Sequence, residues 1–146
     1  MRISKIFFIS VLLIFAVTNC KKANELSMKV LLSQTIWTYD YQESDYNDAT
    51  VQLAIDLAND ILEDATVAYN INGSFSKIIR PPGEVPTTVS GTWVIDSEEE
   101  TLTHTIDSRQ TVFDIITLDE YDLILDRRST SHDNTPYVVR EYWYSY

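Results

Sequence analysis

TTVSGTWVIDSEEETLTHTI, residues Thr87 to Ile106, alternates on both sides of an acidic centre. Gly91, Trp93 and Ile95 share one phase and Thr92, Val94 and Asp96 the other, which is the two-residue period of a strand. Asp96-Ser97-Glu98-Glu99-Glu100 is polar throughout and carries four acids, so burying it would strand charges away from water; it reads as a turn. The chain then returns with Leu102, His104 and Ile106 in phase, and with threonines at 101, 103 and 105 on the other face, where β-branched side chains suit a pleated surface.

The same hairpin logic continues in both directions. Thr66 to Ile71 and Ser74 to Ile79 flank Asn72-Gly73, a two-residue turn signal because both positions tolerate positive φ. On the first arm Val67, Tyr69 and Ile71 are in phase. Pro81-Pro82-Gly83-Glu84-Val85-Pro86 forbids regular structure and predicts a loop. After the turn Asp107 to Gln110, a strand runs from Thr111 to Leu118 with Phe113 and Ile115 on one face. Asp119-Glu120 turns the chain into an alternating run to Asp126, Arg127 to Asn134 reads as a polar loop, and Tyr137 to Tyr144 is the last strand. Gly91, inside a strand, predicts a bulge or a bend at a barrel corner.

Before Ala65 the reading changes. Leu26 to Gln34 suggests a helical lead-in, and Ile36 to Tyr41 a first strand with Trp37, Tyr39 and Tyr41 in phase, followed by a loop from Gln42 to Asp48. Ala49 to Ala65 fits the helical period better than the strand period. Val51, Ala54, Ile55, Ala58, Ile61, Leu62 and Ala65 form an apolar stripe, Asp56, Asp60, Glu63 and Asp64 an acidic face, and Asp48 is placed as N-cap.

Eight strands in sequential turns, with one helix between the first and second, give an up-and-down antiparallel meander, and eight is a number that closes into a small barrel. The fold is therefore mostly all-β. From Leu32 to Tyr144 the chain resembles the lipocalin-like lipoproteins of Gram-negative bacteria: Leu32 followed by Trp37 is similar to their opening strand, Asn72-Gly73-Ser74-Phe75 to their second hairpin, and Gly91-Thr92-Trp93 with Leu118 to Leu125 to later strands. Thr35 stands where those proteins carry glycine two places before the tryptophan. The resemblance implies a lipocalin-like barrel whose interior holds a small hydrophobic ligand.

The first residues carry a separate message. Arg2 and Lys5 precede an apolar run from Ile6 to Val17, the pattern of an export signal and too short for a spanning helix, which needs ~20 residues. Ala16-Val17-Thr18-Asn19-Cys20 resembles the lipobox of bacterial lipoproteins, with Asn19 in place of the usual small residue. The expected organisation is a signal peptide at 1–19, the lipidated Cys20 and its tether at 20–31, and the barrel domain at 32–146. Cys20 is the one cysteine of the chain, so no internal disulfide can form. Loss of residues 1–19 takes the net charge from −11 to −13 over 127 residues. That charge argues against nucleic acid, which needs a Lys/Arg patch, and leaves the lipid as the membrane attachment. Lys21, where many inner-membrane lipoproteins have Asp, points to the outer membrane and its periplasmic face, with the cell surface as the alternative.

No catalytic constellation is present, and a non-enzymatic protein without metal or cofactor is expected. His132 in Ser131-His132-Asp133 is a loop residue, since three sequence neighbours cannot converge as nucleophile, base and orienter. The acids of the helix lack the spacing of a calcium loop. His104 lies in the inward phase, either as a satisfied core residue or as a pocket wall. The remaining signal is aromatic: three Trp, nine Tyr and five Phe, which fill a core, line a cavity, or do both. The expected ligand-lining residues are Trp37, Tyr39, Trp93, His104, Phe113, Leu123 and Trp143. The alternative function is an envelope interaction protein with a filled barrel, holding a protein partner through its acidic surface or the Pro81 to Pro86 loop.

Overall fold

A computed structural model describes residues 28–96 and 101–146. The signal peptide, Cys20, the start of the tether and the tip of the acidic turn lie outside the described residues. Residues 28–34 are helical (α1). The elements that follow are β1 (Ile36–Ser44), α2 (Ala49–Leu62), β2 (Thr66–Tyr69), β3 (Ser74–Ile79), β4 (Thr87–Ile95), β5 (Thr101–Ile106), β6 (Arg109–Leu118), β7 (Asp122–Thr130) and β8 (Pro136–Tyr144). Each strand pairs antiparallel with the next, and β8 pairs back onto β1, closing an eight-stranded barrel with no free edge.

Closure is fixed by rings on both faces. Inside, Tyr39 meets Trp143 edge-on at 5.1 Å; outside, Tyr41 stacks on Tyr142 at 4.3 Å. Tyr39 and Tyr41 point to opposite faces because the register slips between them, leaving Asp40 as an extra residue. This corrects the sequence phase: Tyr41 is exposed, and Gln42 takes the inward position. Strand β1 also continues to Ser44 instead of ending at Tyr41. On β7 and β8 the outer pair Asp126 and Arg140 makes two charge-assisted bonds, 2.7 and 2.8 Å.

The turns follow local chemistry. Asp107 and Ser108 both adopt positive φ, 47° and 67°, and form a two-residue turn between Ile106 and Arg109. The turn at Gly73 is longer than expected. Asn70 N–H donates to the Ser74 carbonyl and Gly73 N–H to the Asn70 carbonyl, with Gly73 at φ 89°. The loop is therefore Ile71-Asn72-Gly73, a type I turn closed by a left-handed glycine, and Ile71 sits exposed at its tip instead of continuing the inward phase of Val67 and Tyr69. The acidic hairpin is closed by Asp96 N–H donating to the Thr101 carbonyl. Arg127 to Thr130, expected in a loop, extend β7; their partners Pro136 to Val139 on β8 hold them in the ladder.

Gly91 is neither a bulge nor marked by a register slip. A Cβ there would lie 2.3 Å from the Thr105 carbonyl oxygen and 2.8 Å from Phe75 Cε1, so the residue is glycine because β4 and β5 approach too closely for any side chain.

Helix α2 begins at its expected cap, where the Asp48 carboxylate accepts from Thr50 N–H and Val51 N–H. It ends at Leu62, short of Ala65, whose carbonyl already accepts from Tyr39 N–H in the approach to β2. The helix sinks less than its stripe suggested. Of the stripe within the helix only Val51 and Ile55 are buried, packed on Val139 of β8, whereas Ala54 and Ile61 are exposed; Leu53 and Leu57, which fall outside the stripe, are exposed as that reading implies. Asn59 ties it to β1: its Oδ1 accepts from Tyr39 Oη (2.6 Å) and Gln42 N–H (2.7 Å), and its Nδ2 donates to the Gln42 carbonyl (3.0 Å).

Candidate functional site

The strand directions give the barrel two different ends. One carries α1, the β2–β3 turn and the start of β7. Here Leu32, Trp37, Leu102 and Leu123 are fully buried, and the Trp37 indole donates to the Leu32 carbonyl (3.1 Å), which docks α1 against the barrel floor. The other end carries α2, the Pro81 to Pro86 loop and the β5–β6 turn, and the interior there is not filled.

A cavity of about 270 Å³ occupies that half. Its apolar wall is Val67, Phe75, Ile106, Phe113, Leu125 and Trp143; its polar wall is Tyr69, Lys77, His104, Thr111, Arg127 and Glu141. The strand period places them: Lys77 is in phase with Phe75, Arg127 with Leu123 and Leu125, and Glu141 with Val139 and Trp143. A larger depression of about 560 Å³ beside Gln110, Val112, Asp114 and Arg128 carries no aromatic side chain.

The polar groups form two sets. In the first, Tyr69 Oη and His104 Nε2 share a hydrogen bond of 2.9 Å, and the imidazole lies against Phe75 (centroids 4.5 Å) and Phe113 (5.0 Å). Burial, helped by the nearby Lys77 charge, pushes His104 down to about 4, so the ring is neutral at pH 7. Tyr69 is pushed well up by burial and by Glu141, and keeps its proton. In the second set Glu141 accepts from the Trp143 indole (3.3 Å) and lies 3.8 Å from Arg127 Nε. The Lys77 ammonium stands 4.8 Å from the centroid of the Trp143 ring. Burial lowers Lys77, Glu141 opposes that shift, and Arg127 adds to it. Among the described residues no buried side-chain nitrogen or oxygen lacks a partner, and no group of three or more His, Cys, Asp or Glu is placed to hold a metal.

Of the residues expected to line a ligand site, His104, Phe113 and Trp143 face this cavity. Trp37 and Leu123 are packed into the opposite end. Tyr39 spans from Trp143 to Asn59, and Trp93 is held under the β2–β3 turn by indole bonds to the Asn70 and Ser74 carbonyls, 3.0 Å each. The structure adds Lys77, Arg127 and Glu141. Their signal in the sequence is a charge in the inward phase of a strand, hidden for Arg127 by its reading as loop.

No family model and no curated protein matches the sequence. Among solved structures, bovine odorant-binding protein in complex with a selenium-containing odorant is 13% identical with a TM-score of 0.49, over 81% of this chain and 72% of that one. A deswapped triple mutant of the bovine protein is 15% identical at a TM-score of 0.48, over 80% and 74% of the two chains. Its complex with undecanal is 14% identical at 0.47, over 75% and 68%. The closed barrel rests on the strand order and register of this chain itself.

Proposed function

We propose that this protein is a non-catalytic binding protein that takes a small, largely apolar molecule into the α2 end of its barrel. The observation that carries the proposal is the cavity of about 270 Å³ walled by Phe75, Phe113 and Trp143, in a barrel whose other end is closed by packed side chains. Ligand sites are commonly concave, apolar and furnished with a few polar groups. At ~30 Å³ per liquid water, this volume equals roughly nine waters, which suits a small molecule and not a full phospholipid. The filled-barrel alternative needs an interior without such space, and the cavity weighs against it.

The proposal extends to location. Export and lipidation at Cys20 would hold the barrel at the outer membrane, facing the periplasm; this part rests on the charged-then-apolar N-terminus and the lipobox-like residues before Cys20. The test is mass spectrometry of organic extracts of the full chain purified from its native envelope, beside denatured and mock-purified controls. A stoichiometric small molecule and a lipid-modified Cys20 peptide are expected. An empty extract together with tryptophan fluorescence that ignores a broad panel of lipids and small apolar compounds would refute the binding reading, and an unmodified Cys20 the anchoring.

A further inference from the structure

The charges in the cavity do not balance among themselves. Two cations, Lys77 and Arg127, face one carboxylate, Glu141. That carboxylate is already engaged on both oxygens, with Arg127 Nε at 3.8 Å from one and the Trp143 indole donating to the other at 3.3 Å. Lys77 contributes a cation–π contact with Trp143 but has no hydrogen bond or ion pair within 4 Å among the described residues. Holding an ammonium beside one indole ring, with no carboxylate within 4 Å, is unfavourable. A methionine of similar length would fill the same place without that penalty. The surrounding chain, at net charge −11, repels anions at long range, so a cation inside the barrel is the feature that makes an anionic guest tolerable there.

We infer that the ligand is a small amphiphilic monocarboxylate, its head group set against Lys77 Nζ and its apolar body lying on Phe75, Phe113 and Trp143. This rests on the binding reading above and names its ligand class. One spare cation matches a single negative charge; a phosphate dianion would bring a charge that no lining group covers. His104, neutral and bonded to Tyr69, adds no further positive charge to the cavity.

The experiment is calorimetric titration of the full chain at pH 7.5 with two acid and alcohol pairs, octanoate with 1-octanol and 4-phenylbutyrate with 4-phenyl-1-butanol. At least one acid is expected to bind about tenfold or more tightly than its alcohol, the range of a hydrogen bond to a charged group. Lys77→Met should collapse the acid-to-alcohol affinity ratio to near one, whatever it does to each affinity alone, and Lys77→Arg should keep the preference. Circular dichroism checks the fold of each variant, and the wild-type ratio decides even if Lys77→Met does not fold. Alcohols binding as tightly as acids, or a preference that survives Lys77→Met, would overturn the carboxylate assignment while leaving the apolar site intact. Binding of no acid and no alcohol would overturn the site itself.

Discussion

Protonating His104 in the folded barrel should be difficult enough to give the protein an acid-labile stability profile. Its folded value is about 4 against 6.5 for the free side chain, so between those limits the unfolded chain binds more protons than the folded one and stability rises with pH. The contribution is fully present above pH ~6.5 and drains away as pH falls towards 4. A gap of about 2.5 at ~1.36 kcal/mol per pH unit is worth about 3 kcal/mol at its limit, a large share of a typical 5–15 kcal/mol. The assay is urea unfolding of wild type and His104→Gln across pH 4–7.5. Glutamine can keep a bond to Tyr69 Oη but cannot titrate, so subtracting the two curves cancels the carboxylates, including Asp133 and Asp119, which their own hydrogen bonds hold below the ordinary range. The variant is expected to lose stability at neutral pH with its stacking on Phe75, and to close or reverse that deficit by pH ~4.5. A difference that stays flat over this interval would show that His104 titrates as a solvated histidine and would refute its burial behind Phe75, Phe113 and Lys77.

Three other outcomes follow from contacts in the barrel wall. Gly91→Ala should lower stability by about 1–3 kcal/mol in thermal unfolding, because the new methyl meets the Thr105 carbonyl at 2.3 Å, a backbone atom that cannot step aside. Asn59→Ala should cost about 2–3 kcal/mol and raise amide exchange in α2 and at Gln42, since one side chain makes two bonds to the Gln42 backbone and a third to Tyr39 Oη; protection that stays unchanged would mean that Val51 and Ile55 alone hold the helix. Leu123→Ala, at a fully buried site, should cost about 2–5 kcal/mol with ligand affinity unchanged under native conditions, whereas Phe113→Ala should weaken binding as measured by calorimetry.

The barrel was legible because its signals are periodic and local. The alternation through Trp93 and Leu102, the polar turn between them and the capping Asp48 each point to one local structure, and all agree with the closed meander. What escaped were events that break a period. The extra residue Asp40 turns Tyr41 outward and Gln42 inward, and no residue type at 40 announces it. Ile71 left the inward phase because the turn takes three residues, a choice decided by pairing across β2 and β3 and not by Asn72-Gly73 alone. The site was the least legible part. Aromatic residues occur at both ends of the barrel, and the sequence cannot say which end is sealed. Trp37 and Trp143 look alike in their strands, yet one is packed against Leu32 in the floor and the other stands beside Lys77.

The asymmetry between the ends explains how such a charged interior is sustained. Lys77, His104 and Glu141 all lose hydration in the barrel, and the cation–π and indole contacts of Trp143 and the Arg127 pair recover only part of it. The strands that carry these groups are continuous with the floor, where Leu32, Trp37, Leu102 and Leu123 exclude water completely. The register at the charged end is therefore held by packing at the other, and by the outer Asp126 and Arg140 pair one residue away from Arg127 and Glu141. A wall fixed in this way keeps its charges in place without a ligand to organise them. Under the proposed function, binding would require desolvation of the guest and of Lys77, but little ordering of the protein, which is the condition under which a small cavity can bind a small molecule with useful affinity.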